Sequence, residues 1–330
     1  MAVGSYDKTF RLYDVSSFVL SPKEKEERAW AKTKESLKPV LSIEEKEGEL
    51  FIGDAHWRKG SGGVLVPPLQ REGLTLPTNL KLMNLILKDL SLRKNILLVG
   101  EEGSGKNTLL SNLHNLLNRQ LILLPIHEQT EAQDLYVQRA VKKGETPGEE
   151  SGLIQMMKQG GTIVLDKVNR AKPGVPAVLN DPLQFRRFHL PDGILLNADL
   201  DFRIVATMNP PLPPYTGKEL SGELESRFSV YTIPYLPKEE ELTLLTEYAP
   251  NLERSFLERL LQASLDLRAA YRGGELPRPF STRALIHVVQ HLNEYPKDTS
   301  TALEHAYNLR YLGEGYQELL TRVYKTHGLI

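Results

Sequence analysis

Cysteine is absent from this chain of 330 residues. Its absence removes disulfide bridges, thiolate metal sites and a cysteine nucleophile, and it agrees with a reducing compartment. An excess of either charge is also missing. Lys and Arg number 41 against 42 Asp and Glu, and the net charge of -1 demands neither a nucleic-acid nor a membrane partner. No run approaches the roughly 18 apolar residues of a membrane span. Asp7, Asp14 and a Lys/Glu run over 23–27 stand near the start, whereas a targeting peptide is acid-poor with an apolar or Arg/Ser-rich core. A cytoplasmic protein is the resulting expectation. Internal repeats, a G-x-S-x-G elbow and an N-K-x-D guanine motif are lacking as well. Those gaps set aside repeat architectures, serine-hydrolase chemistry and a GTP-specific switch.

What remains has an ordinary globular composition, 40% hydrophobic and 25% charged. The length suffices for two domains with separate cores. Residues 1–44 read as an N-terminal extension or linker. Within it, 4–14 resembles one strand pair of a propeller blade, which cannot bury its own faces alone, and 21–38 is charged with helical character. A β-like piece follows at 49–53, then a turn-rich segment through Gly60-Ser61-Gly62-Gly63 to Pro67-Pro68. Leu80, Met83, Ile86, Leu87 and Leu90 recur at helical spacing.

Short apolar runs then alternate with helical segments. Strands are expected at 95–99, 121–125, 162–165, 202–206 and 230–234, a hairpin at 188–196 around Pro191-Asp192-Gly193, and helices between them. That alternation predicts an α/β domain over 45–236, a parallel sheet covered by helices on both faces. After Pro237 the pattern is helical only, with stripes Leu257, Leu260, Leu261, Leu265 and Leu285, Val288, Val289, Leu292. A smaller all-α domain is expected over 237–330.

Gly100-Glu101-Glu102-Gly103-Ser104-Gly105-Lys106 lies between an expected strand and an expected helix. Glycines let backbone N–H groups converge on phosphate oxygens, a lysine reaches the terminal phosphates, and the helix N-terminus adds its dipole. Asn107 stands where such loops usually end in Ser or Thr, and Thr108 follows it. A second strand, Ile163-Val164-Leu165, ends in Asp166, a carboxylate suited to Mg²⁺. The residue after it is usually a glutamate that polarises the attacking water. Here it is Lys167, a cation that cannot accept that proton. Asn209 closes a third strand, where ligands bind in open α/β sheets. Arg227 is an arginine able to act as a finger on a neighbour's nucleotide, against the plainer reading of a surface salt bridge. Ser281 is a natural N-cap, and Arg283 in the first turn behind it opposes the helix dipole. His287 and His291 are one turn apart without a third ligand, so a structural role is expected for them.

Taken together these segments resemble the AAA+ ATPases, in their dynein-related and MoxR-like branch. The likeness is greatest to the nucleotide-binding modules of the large von Willebrand factor A domain-containing ATPases. It is carried by Gly-Ser-Gly-Lys-Asn at 103–107, Ile-Val-Leu-Asp at 163–166, Phe-Arg-Ile-Val-Ala at 202–206 and Phe-Ser-Thr-Arg-Ala-Leu at 280–285. The resemblance implies a P-loop NTPase core followed by a helical lid. It implies ATP and Mg²⁺ as ligands, with Gly100, Gly103, Ser104, Gly105, Lys106, Asn107 and Thr108 around the phosphates and Asp166 and Asn107 facing the metal. Lys106, Asn209, Arg227 and Arg283 would serve turnover, Asn209 as sensor 1, Arg227 as arginine finger and Arg283 as sensor 2. It further implies a ring, hexamer-like and homo- or hetero-oligomeric, that remodels a protein partner, with Lys167 as a departure that slows or abolishes hydrolysis. The D-x-S-x-S metal motif of a von Willebrand A domain does not occur in the chain.

Overall fold

The computed structural model describes residues 41–139, 148–172, 174–190, 192–211, 218–307 and 312–330. The propeller-like strand pair at 4–14, the charged helix at 21–38 and Pro191 of the hairpin lie outside them.

A small antiparallel sheet comes first: β1 (Ile43–Lys46), β2 (Glu49–Ile52) and β3 (Ala55–Arg58). The sequence reading caught only its middle strand. β2 alternates buried Leu50 and Ile52 with half-buried neighbours, and that inner face packs on α1 (Pro77–Ser91). Pro77 opens α1 without a capping side chain, since proline at the first helical position forfeits no bond.

Five parallel strands form the central sheet: β4 (Asn95–Val99), β5 (Leu121–Pro125), β8 (Thr162–Asp166), β11 (Arg203–Met208) and β12 (Phe228–Thr232), in the order β12-β4-β11-β8-β5. β8 and β11 are interior strands and carry the apolar runs 163–165 and 204–206, because both faces are covered. One face holds α1 and α2 (Lys106–Leu116). The other holds α3 (Gly152–Gln159) and α4 (Gly174–Phe185). The fold is thus the expected P-loop core, an α/β sheet flanked by helices.

β12 begins and ends two residues earlier than the sequence reading set it. Phe228 and Ser229 already pair with Asn95 and Ile96, while Pro234 has no N–H to offer a ladder. The short pairs β6 (Val137–Arg139) with β7 (Gly148–Glu150), and β9 (Arg187–His189) with β10 (Leu195–Asn197), are antiparallel. The second pair is the expected hairpin.

Helices α5 (Lys238–Tyr248), α6 (Arg254–Arg272), α7 (Thr282–Glu294), α8 (Thr299–Tyr307) and α9 (Glu314–Thr326) make the all-α lid around their own core of Leu245, Leu257, Leu261, Leu285, Val288 and Leu320. Inside it Arg268 forks onto Glu241, with both N···O distances 2.8 Å. Among the described residues no helix is long and apolar enough to cross a membrane.

Candidate functional site

The parallel register brings Val99, Asp166, Met208 and Thr232 to one edge of the sheet, the carboxyl edge at which α/β folds bind ligands. The loop 100–105 leaves β4 there and enters α2. Its three glycines answer to three different constraints. A Cβ on Gly100 would lie 2.3 Å from the carbonyl of Ile233, so the chain passes too close for a side chain. Gly103 has φ +71, and a Cβ there would sit 2.6 Å from Ser281. Gly105 takes φ +89 as the N-cap of α2, with open space around it. Left-handed backbone of this kind favours glycine.

Lys106 opens α2, and its Nζ donates to the loop's own carbonyls, Gly100 O at 2.7 Å and Glu101 O at 2.8 Å. Burial pushes the ammonium down to about 8, Asp166 and Glu102 oppose the shift, and Lys167 and Arg283 add to it. Ser104 Oγ and Asn107 Oδ1 are buried without a hydrogen-bond partner. Such groups cost free energy, and here they lie where a polyphosphate and its counter-ion would meet them.

Asp166 ends β8. Its Oδ1 accepts from Thr207 Oγ1 at 2.5 Å on the neighbouring strand and from Asn107 Nδ2 at 3.4 Å. Magnesium takes one or two carboxylates plus phosphates and water, so Asp166 with the unpartnered Asn107 oxygen is a suitable donor set. Lys167 adopts φ 60 and ψ 44 at the start of a short 3-10 turn, and its N–H donates to Thr207 Oγ1 at 3.2 Å. Asn209 lies half-buried just beyond β11, and its carbonyl accepts from Asn169 Nδ2 at 3.4 Å.

The lid closes this edge. Ser281 caps α7 by accepting from the N–H of Ala284 at 3.3 Å, and the helix start rests on Gly103. Arg283, in the first turn, is exposed and borders a cavity of about 320 Å³. Gly103, Gly105, Thr108, Asn112, Gln70, Leu244 and Tyr248 are among its other walls. That volume falls within the usual range for small-molecule sites.

Two further contacts tie the loop to the lid. The Tyr235 hydroxyl donates to Glu102 O at 2.7 Å while its ring lies under the Arg268 guanidinium at 3.9 Å. Burial pushes that hydroxyl above its usual range, so it remains a donor. Arg272 reaches the half-buried Glu101 carboxylate at 3.0 Å.

Sequence reasoning missed Tyr235, Arg272, Gln70, Asn112 and Tyr248. Thr108 and Asn112 share a face of α2 at i, i+4, a readable signal; the others meet the site only through tertiary packing. Lys106, Asn107, Asp166 and Arg283 lie close together, along with Gly103 and Thr108. Arg227 is not part of that group. It precedes β12 at the opposite edge, beside Asn95, and its guanidinium bonds Glu223 at 2.9 Å and Gln184 at 3.1 Å.

Comparison with known proteins matches residues 95–228 to the family described as the AAA domain, dynein-related subfamily. Von Willebrand factor A domain-containing protein 8 of Mus musculus is 29% identical over 259 residues, covering 74% of this chain and 14% of the mouse protein. An uncharacterized protein of Staphylococcus saprophyticus is 27% identical over 60% of this chain and 77% of its own length. Midasin of Dictyostelium discoideum is 27% identical over 60% of this chain and 3% of its own. Among solved structures, a putative ATPase from Cytophaga hutchinsonii covers 77% of this chain and 89% of its own, at 16% identity and a TM-score of 0.43. The chain thus spans only a small part of the mouse protein it matches.

Proposed function

We propose, from the premise that residues 95–228 are an AAA domain of the dynein-related subfamily, that this chain binds ATP and turns it over slowly within a ring of like modules. Residues 45–236 would form the nucleotide-binding domain and 237–330 the lid. The observation that carries the reading is the meeting of Lys106, Asp166 and Arg283 around one glycine loop, beside a cavity lined by both parts.

Each residue has a task in that reading. The loop N–H groups and Lys106 would bind the phosphates, with Lys106 exchanging the carbonyls of Gly100 and Glu101 for phosphate oxygens. Asn107 Oδ1 and Asp166 would hold Mg²⁺, which when bound supplies charge neutralisation to the phosphates. Thr207 orients Asp166 through the 2.5 Å bond. Arg283 would report on the terminal phosphate from the lid, and Asn209 would hold the attacking water. Arg227 faces away from this site and would serve a neighbouring module's nucleotide. The ring would pass these changes to a protein client.

Hydrolysis is slow in this reading because Lys167 occupies the place of the base. Absence of a general base costs on the order of 10²–10⁴ in rate. A second reading, favoured by that same residue, is an ATP-binding module that does not hydrolyse at all.

Calorimetric titration with Mg-ATP tests the first part. The unchanged chain should bind, and Lys106→Ala should lose at least roughly 1.5–3 kcal/mol of binding, the worth of a hydrogen bond to a charged group. Equal affinity in both would end the proposal. Phosphate release at equal occupancy then separates the two readings: Lys167→Glu should raise turnover well above a low but measurable basal rate, whereas a basal rate of zero selects the non-hydrolysing module.

A further inference from the structure

The Lys106 ammonium lies among charges of both signs. The charges that act on its ammonium are Asp166, Glu102, Lys167 and Arg283. With Lys106 itself, three cations face two carboxylates. A glutamate at position 167 would reverse that balance to two cations against three carboxylates.

Lys167 is also held in place. It has left-handed backbone at φ 60, which costs a residue with a Cβ roughly 1–2 kcal/mol. Its N–H is fixed to Thr207 Oγ1, the hydroxyl that also anchors Asp166. Behind it Val168 and Asn169 are buried, so the turn that presents Lys167 cannot slide. A strained residue persists where its surroundings over-determine it, and such residues cluster at functional sites. Among the described residues its ammonium is in no ion pair. Two ammonium groups gathered at one strand edge repel each other, and a polyphosphate anion relieves that repulsion.

We propose that Lys167 is a phosphate-binding cation that lets this site take up the free nucleoside triphosphate without a divalent metal. The inference rests on the proposed nucleotide site and specifies its counter-ion. Asp166 and Asn107 still offer magnesium a place, but the ammonium of Lys167 joins Lys106 and Arg283 in supplying part of the neutralisation that the metal otherwise brings. The residue that removes the general base thereby adds a ligand for the phosphates, and binding is uncoupled from the metal.

The test is ATP binding to the full chain by calorimetry, once in magnesium and once in excess EDTA, for the unchanged chain, Lys167→Met, Lys167→Arg and Lys167→Glu. The unchanged chain should weaken by less than about tenfold in EDTA. Lys167→Met should weaken binding in both media, and by about ten to a hundred times more in EDTA than in magnesium, the worth of one charge-assisted phosphate contact. Lys167→Arg keeps the charge and should keep binding in EDTA, which separates loss of charge from a disturbed turn. Lys167→Glu should bind only with magnesium. Equal losses in EDTA for the unchanged chain and Lys167→Met overturn the role of Lys167 while leaving the nucleotide site intact. No binding by the unchanged chain in either medium overturns the site and this inference together.

Discussion

At the scale of single residues, buried polar groups decide more than their number suggests. His114 on α2 is wholly buried, with Nδ1 2.8 Å from Leu110 O and Nε2 2.9 Å from Thr162 Oγ1. The neutral ring satisfies both, Nδ1–H donating to the carbonyl and Nε2 accepting from the hydroxyl. Burial pushes its pKa down from 6.5 to about 4. Between those values the unfolded chain binds a proton that the folded chain refuses, so stability falls as pH drops and levels off below about 4. The expected slope from this one group is about 1.4 kcal/mol per pH unit. Urea unfolding from pH 7 to 4 should show it, and His114→Gln, which cannot titrate, should be flatter by that amount. Parallel slopes would remove the assignment.

Elements are joined by paired charges. Arg268 on α6 grips Glu241 on α5, donates Nε to Phe280 O at 2.8 Å and covers Tyr235. Thr282, the first residue of α7, donates to Glu241 at 2.5 Å. One ion pair therefore gathers three lid helices and, through Tyr235, the carbonyl of Glu102 in the glycine loop. Removing one partner strands a buried charge, at a cost of about 3–5 kcal/mol. Arg268→Met should lose that much by chemical denaturation. The double change Arg268→Met with Glu241→Met should recover most of it, because no charge is then left alone. Nucleotide affinity in the double variant should still fall, since the guanidinium that holds the Tyr235 ring from above is gone. Unchanged affinity would show that the lid does not steady the loop through this path.

At the scale of the whole molecule, Arg227 and the glycine loop 100–105 occupy opposite edges of one sheet. β12 rises over four residue steps between them, roughly 13 Å. An arginine so placed would not reach a nucleotide held at the glycine loop of its own chain, and under the proposed ring it would reach the next. Complementation tests this. Arg227→Ala should bind ATP as the unchanged chain does but lose turnover, and Lys106→Ala should lose binding. Mixed, the two should regain turnover, because Lys106→Ala still offers Arg227 to its neighbour's intact site. A mixture no more active than its parts would exclude action between chains.

How far the sequence alone reached follows from which interactions are local. Gly100 to Lys106, Asp166 and the apolar runs at β4, β8 and β11 declare themselves, because strand period, helix start and glycine backbone are properties of neighbouring residues. The sheet, the glycine loop and the helical lid were legible for that reason, while the departure at Lys167 was read against the resembled family's pattern. β1 and β3 were not, since their half-exposed residues carry little apolar signal. Tyr235, Arg272 and Gln70 gain their places only when the lid folds back on the loop, across separations that no periodicity spans. The sequence by itself determined where the carboxyl edge of the sheet and its glycine loop lie. Only the tertiary structure decided which charges gather at that edge, because pairing between distant elements is a product of packing.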